Sequence, residues 1–325
     1  MPHLPPEWSP HASVWIGFPS ARDLWLDDLD GAQAQVAAFA RAVYAEGRGE
    51  RVDLICANED AAECAVALRT GAAIHILPFY DIWLRDTGPL VLIRDGARVA
   101  LDYRGNGWGG KYPSKLDDAL GALLAASVPL PREPRHMILE GGAIDVDGAG
   151  LLVTTEQCLL NPNRNSFMSR ADIEAELLLN LGVTRILWLG DGLLGDHTDG
   201  PVDNLARFVA PGVLAIPEPD GSDDPNADIY ADAWARAKEY GVEVVPMPSP
   251  GRVEIDGEVA AASYMNFYIG NAAVVVPVHG TANDAAAVDA LKPMFPDRLV
   301  VGLPTDQVLT GGGSFHCISQ QVPCP

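Results

Sequence analysis

Residues 169–190 read SRADIEAELLLNLGVTRILWLG, and this stretch decides how the rest of the chain is organised. Ser169, with Asp172 three places later, has the form of a capping box, in which each side chain meets the other residue's backbone N–H. RADIEAELLLNLG is then amphipathic and ends at a glycine, which predicts a helix. TRILWLG is a short apolar run of strand character.

The same order recurs along the chain. Asn58 precedes EDAAECAVALRTG, Ser114 precedes KLDDALGALLAAS, Asn226 precedes ADIYADAWARAKEYG, and Thr281 precedes ANDAAAVDALKPMF. Caps at 58, 114, 169, 226 and 281 lie 56, 55, 57 and 55 residues apart. Ser114/Asp117 and Thr281/Asp284 also have capping-box form. After each helix comes a short strand: AIHILPF, PRHMILE, TRILWLG, VEVVPMP and RLVVGLP. Two further strand-like runs follow, divided by Gly or Asp turns, as in GAIDVDGAGLLVTT and YMNFYIGNAAVVVPV. The unit is therefore helix, strand, hairpin, five times over. An extra helix near 31–48 and the strand RVDLICA stand before the first cap.

A doubly wound open sheet would alternate single strands with single helices. Hairpin-containing units of equal length instead predict an α/β fold of radial repeats, a five-bladed propeller. The strand ASVWIGF is expected to close the ring against the C-terminal strands. No linker-like stretch divides the chain, which reads as one domain over residues 1–325.

Composition sets limits on partners. Hydrophobic residues make up 48% and charged residues 20%, which calls for a sizeable core rather than disorder. A net charge of −22 opposes binding to nucleic acid or an anionic membrane. No run approaches the roughly 18 apolar residues of a membrane span. The N-terminus lacks signal-peptide form. Five scattered cysteines give neither a disulfide framework nor a paired metal motif, in keeping with a reducing cytoplasm.

In a ring of repeats, strand ends converge on a central channel. At the matching stage of successive units stand DIWLRDTGP, LEGGAI, TDGPVDN, SYMNFY and GGGSFHC. They offer Asp86, Glu140, Asp203, Asn266 and Cys317. Taken singly, each has an ordinary explanation: Asp86 and Asp203 as turn residues, Glu140 as a strand end, Cys317 as a buried thiol. Gly312 and Gly313, however, would let backbone approach a ligand closely. GDHTDG is a weak metal fragment, since no second histidine cluster accompanies it. Together, three carboxylates suit a planar guanidinium with its forked donors. A thiolate beside it could attack the central carbon. An ordinary thiol titrates near about 8.5, so a bound cation would help ionise Cys317.

PEWSPHASVWIGFP, WLRDTGP, NGWGGKYP, LEGGAI, LLVTTEQCLLNPNRN, GDHTDGPVDN, SYMNFYIGNAAVVVP and GGGSFHCISQQVP run nearly the whole chain. With these motifs the sequence resembles agmatine deiminases and the related bacterial peptidyl-arginine deiminases, pentein-like five-bladed α/β propellers. The resemblance implies hydrolysis of agmatine to N-carbamoylputrescine and ammonia, in putrescine formation. It implies Cys317 as the nucleophile that forms a covalent thiouronium. It implies Asp86 and Asp203 as the grip on the guanidinium, Glu140 as an acid beside the substrate, and Trp83 against its aliphatic chain. It implies no metal or organic cofactor, a small cationic guanidine as partner, and compatibility with a homo-oligomer.

One position departs from the pattern. The resembled motif is TDGHVDN, whose histidine protonates departing ammonia and then activates water; this chain has Pro201 there. On a strand, 201 and 203 would share a face. Proline offers no proton, and losing one general acid–base costs about 10²–10⁴-fold, here at the upper end or beyond. His316 is expected to point to the opposite face of its strand from Cys317. His197 is expected in a turn near the pocket mouth, within reach of the missing role. The alternatives are a guanidine-binding protein without turnover and a deiminase of free or peptidyl arginine.

Overall fold

The computed structural model describes residues 2–325. Its mixed α/β architecture contains five sheets of three or four strands and one two-stranded hairpin. Four of these five larger sheets are assembled in the same way. An antiparallel hairpin comes first, a helix crosses over, and the next strand returns parallel to the hairpin's second strand. Leu151–Thr155, for example, pairs antiparallel with Ile144–Val146 and parallel with Arg185–Leu189, with the helix Arg170–Leu181 between them. The crossover is needed because parallel neighbours cannot be joined by a tight turn.

The predicted unit is thus correct in content but shifted in phase. The strand after each helix belongs with the preceding hairpin, and the following hairpin opens a new sheet. Arg132–Ile138 pairs with Ala97–Arg104, whereas Ile144–Val146 begins the next sheet. Sequence order alone cannot reveal which neighbour a strand will choose. The sheet built on His11–Gly17 takes strands from both chain ends. It pairs antiparallel with Ser319–Pro323 and parallel with Arg51–Cys56, which in turn pairs with Ala73–Ile76.

Three of the five caps act as expected. Asn58, Ser114 and Ser169 accept from the N–H groups of Ala61, Asp117 and Asp172. Only Ser169/Asp172 forms the reciprocal box. Asp117 instead accepts from Tyr80 N at 2.7 Å. Asn226 stands at its helix start without capping, because its Oδ1 accepts from Leu194 N at 2.9 Å. The helix expected after Thr281 begins later, at Asp284, after Asn283. The extra N-terminal helix runs Leu29–Tyr44.

The core forms four apolar clusters between sheets and helices. Trp15, Phe39, Phe208, Phe267 and Phe315 are among the largest fully buried side chains. Among the described residues, no helix is long and apolar enough to cross a membrane.

Candidate active site

In each of the five larger sheets one helical or helix-like turn leads into a strand of the antiparallel pair, and these turns carry the polar residues to one place. Asp86 lies in Leu84–Thr87, Glu140 precedes Gly141–Ala143, Asp203 lies in Val202–Asn204 and Asn266 ends Tyr264–Asn266. Cys317 lies in a turn rather than a strand, closed by Ile318 N donating to Ser314 O at 3.1 Å. The strand expected around Cys317 starts only at Ser319. Positions 201 and 203 likewise do not alternate along a strand. Pro201 precedes a 3₁₀ turn with φ −60° and ψ 152°, which proline accommodates without strain.

Asn266 ties three of these groups together. Its Nδ2 donates to Cys317 Sγ at 3.0 Å, Asn204 Oδ1 at 2.9 Å and Asp203 Oδ2 at 3.2 Å. Its Oδ1 accepts from the N–H groups of His316 and Cys317, at 3.1 and 3.2 Å. Cys317 Sγ lies 3.4 Å from Asp203 Oδ2. Burial, then Asp203 and Asp86, push the Cys317 thiol well above its ordinary range. The Ser314 backbone and Asn266 act in the opposite direction. A cation entering between the carboxylates would remove much of that repulsion.

The carboxylates differ in what stands behind them. Glu140 Oε1 accepts from Arg164 Nε at 3.0 Å, while its buried Oε2 has no partner. Burial nonetheless raises the Glu140 carboxyl despite that arginine. Asp203 Oδ2 meets His316 Nδ1 at 2.7 Å, and Oδ1 is buried without a partner. Among the described residues no cation pairs with Asp86, which accepts from Gly142 N at 2.9 Å and Trp108 Nε1 at 2.8 Å. Burial, with Asp203 and Glu140 nearby, pushes Asp86 up to about 7. Unpaired buried acceptors are costly. Two orphaned oxygens and one uncompensated acid converging in this way suit a planar donor with a positive charge.

A cavity of about 400 Å³ opens onto this cluster. Asp86, Cys317, Trp83, Pro201, Gly312 and Gly313 line it; Glu140, Asp203 and Asn266 stand behind that lining. Gly313 has no room for a side chain, since a Cβ there would lie 2.6 Å from the Trp83 ring and 3.1 Å from Cys317 Cβ. Gly312 has φ +100°, a conformation that favours glycine. Toward solvent, the half-buried Asp28 and exposed Asp256 extend the acidic lining. Asp256 tips the small hairpin Glu254–Ile255/Glu258–Val259, which the repeat did not predict. No lysine or arginine lines this cavity among the described residues.

His197 lies in a turn and lines the same cavity as Pro201 and Cys317. Its backbone is fastened by Lys111 Nζ, which donates to His197 O at 2.9 Å and Asp199 Oδ1 at 2.6 Å. Arg164 Nη2 donates to Thr198 O at 2.8 Å, and Arg164 also pairs with Asp199. Sequence reasoning missed Arg164, Trp108, Glu7 and His316 as supporting residues. All four fall inside quoted motifs, which was the only signal available.

The Porphyromonas-type peptidyl-arginine deiminase profile matches residues 3–323. The agmatine deiminase of Stutzerimonas stutzeri is 36% identical over 356 residues, covering 99% of this chain and 96% of that protein. The solved agmatine deiminase of Enterococcus faecalis superposes with a TM-score of 0.91 at 31% identity, over 99% of this chain and 96% of that one. The C. jejuni agmatine deiminase gives 0.90 at 27% identity, with the same coverage.

Proposed function

The chain belongs to the agmatine deiminase and Porphyromonas-type peptidyl-arginine deiminase family, and from that premise we propose that it hydrolyses agmatine to N-carbamoylputrescine and ammonia. The observation that carries the choice of substrate is the cavity lining. Asp86 and the orphaned oxygens behind it suit the guanidinium, while Asp28 and Asp256 suit the ammonium at the other end. Free arginine would bring a carboxylate into a lining that has no lysine or arginine to receive it. Five sheets with the termini paired in one of them support a single five-bladed ring around this cavity.

In the proposed reaction, Cys317 Sγ attacks the central guanidinium carbon and forms a tetrahedral adduct. The C–N bond breaks, and ammonia leaves with a proton. Water then adds to the thiouronium, the C–S bond breaks, and the ureido product and the thiol are released. Asp86, Asp203 and Glu140 hold the cation in place for attack. Trp83 covers the aliphatic chain. The proton work assigned by the resemblance to a histidine at 201 falls to His197, the imidazole that lines the cavity.

Pro201 in the cavity wall favours a second reading, a protein that binds guanidines without turnover. Ammonia release from agmatine, measured for this chain and its Pro201→His and His197→Ala variants, separates the two. The first reading expects release by this chain and its loss in His197→Ala. Calorimetric binding of agmatine with release only from Pro201→His would establish the second.

A further inference from the structure

His316 lies behind the site, with both ring nitrogens facing carboxyl oxygens: Nδ1 is 2.7 Å from Asp203 Oδ2, and Nε2 is 2.9 Å from Glu7 Oε2. Each ring nitrogen thus lies within hydrogen-bond reach of a carboxyl oxygen, and a proton on Nδ1 points at Asp203. Burial alone would raise the Glu7 carboxyl. Arg207 and His316 outweigh it and hold Glu7 well below the usual range. Other charged groups around this cluster are Arg85, whose Nη2 lies 3.1 Å from Glu7 Oε2, and Asp145, which pairs with Arg207 Nε at 3.0 Å. His316 itself is 3% exposed and does not line the main cavity.

We infer that His316 is a positioning residue for the chemistry at Cys317, acting through Asp203. Engaging Oδ2 from behind fixes the rotation of the Asp203 carboxyl and turns Oδ1, which has no protein partner, into the acceptor presented to the ligand. The same Oδ2 faces the Cys317 thiol. A donor at Nδ1 therefore draws charge off the oxygen beside the sulfur and favours the thiolate. His316 and Cys317 also share Asn266 Oδ1 through their adjacent N–H groups, so ring and sulfur are held in one rigid turn.

The inference rests on the proposed use of Asp203 and Cys317, but its test does not need turnover. His316→Asn can place an amide donor where Nδ1 stood, facing Asp203. His316→Gln can place one where Nε2 stood, facing Glu7. Iodoacetamide alkylation of Cys317 at fixed pH is expected to slow about tenfold in His316→Gln, the scale of one hydrogen bond to a charged group. In His316→Asn it is expected to stay within about threefold of the unaltered chain. Agmatine affinity should follow the same order. Equal alkylation rates in the two folded variants, or losses that merely follow Tm, would overturn the inference. Should neither variant fold, ¹⁵N spectra of histidine-labelled unaltered chain decide it: a proton on His316 Nδ1 supports it, and a ring that carries its only proton on Nε2 overturns it. Alkylation in the expected order without ammonia release would uphold the His316 role while the deiminase reading fails.

Discussion

Two buried charge clusters meet at Asp203, one facing the cavity and one behind it. Behind, Arg207 lies between Glu7 and Asp145, at 3.1 and 3.0 Å, and Arg85 and His316 complete Glu7. In front, Asp86 has no cation among the described residues, and Glu140 and Asp203 each keep one orphaned oxygen. The same residue types in similar burial therefore serve opposite ends. The rear cluster is paired in charge by the chain itself, although Arg207 Nη2 meets Glu7 as an ion pair without a hydrogen bond. The front cluster is left incomplete in the way a cationic ligand would complete it, a pattern typical of binding sites that trade stability for function.

The sharpest way to break that comparison is to remove a rear cation. Arg207→Met leaves Glu7 and Asp145 buried without their shared partner and is expected to cost about 3–5 kcal/mol, read from urea unfolding. A cost below about 1 kcal/mol would mean the rear cluster is not structural.

The front should behave in the opposite sense. Asp86→Asn is expected to raise the stability of the free chain by about 1–2 kcal/mol at pH 8 while weakening agmatine binding by about 10² or more. The pH dependence has a defined sign. Asp86 titrates at about 7 in the folded chain, against 3.8 ordinarily, so between those values the folded state holds a proton that the unfolded state has lost. Its contribution to stability therefore falls as pH rises from about 4 to about 7 and levels off above. Burial also raises Asp81 to about 7, which adds a slope of the same sign, so Asp86→Asn should reduce the slope without abolishing it. Agmatine binding should tighten over the same range, because the ligand selects the ionised acid. Urea midpoints and calorimetry between pH 5 and 8 test both statements.

The contrast also explains what could be read from the chain beforehand. Repeat length, strand content and the convergence of Asp86, Glu140, Asp203, Asn266 and Cys317 follow from local caps, periodicity and position within each unit. Cap failures at Asn226 and Thr281 arise from tertiary competition, as when Asn226 Oδ1 is taken by Leu194 N. The rear ion pairs were invisible for the same reason. Glu7 and Arg207 lie far apart in sequence, and no spacing rule couples them. His316 was misjudged because a strand was assumed where the chain makes a turn, which sends the ring into Asp203.

The smallest effect sought is the loss of one donor from the front. Trp108 lies in a run of left-handed backbone, with φ of +63°, +51°, +78° and +81° from Gly107 to Gly110, and its Nε1 donates to Asp86 Oδ2 at 2.8 Å. The glycines adopt it freely, whereas Trp108 is held there at a cost that the surrounding packing offsets, a feature that clusters at ligand sites. Trp108→Phe keeps an aromatic ring beside Tyr112 but removes the N–H. The Trp108 bond lowers the Asp86 pKa, so its loss should raise that pKa further and leave less of the ionised acid at pH 7. Agmatine affinity is then expected to fall about three- to tenfold at pH 7 and to recover by pH 9, with unfolding stability changed by less than about 1 kcal/mol. A deficit that persists at pH 9 would mean that the ring acts through packing rather than through the charge on Asp86. A loss of several kcal/mol would place Trp108 with the rear cluster, as part of what holds the chain together.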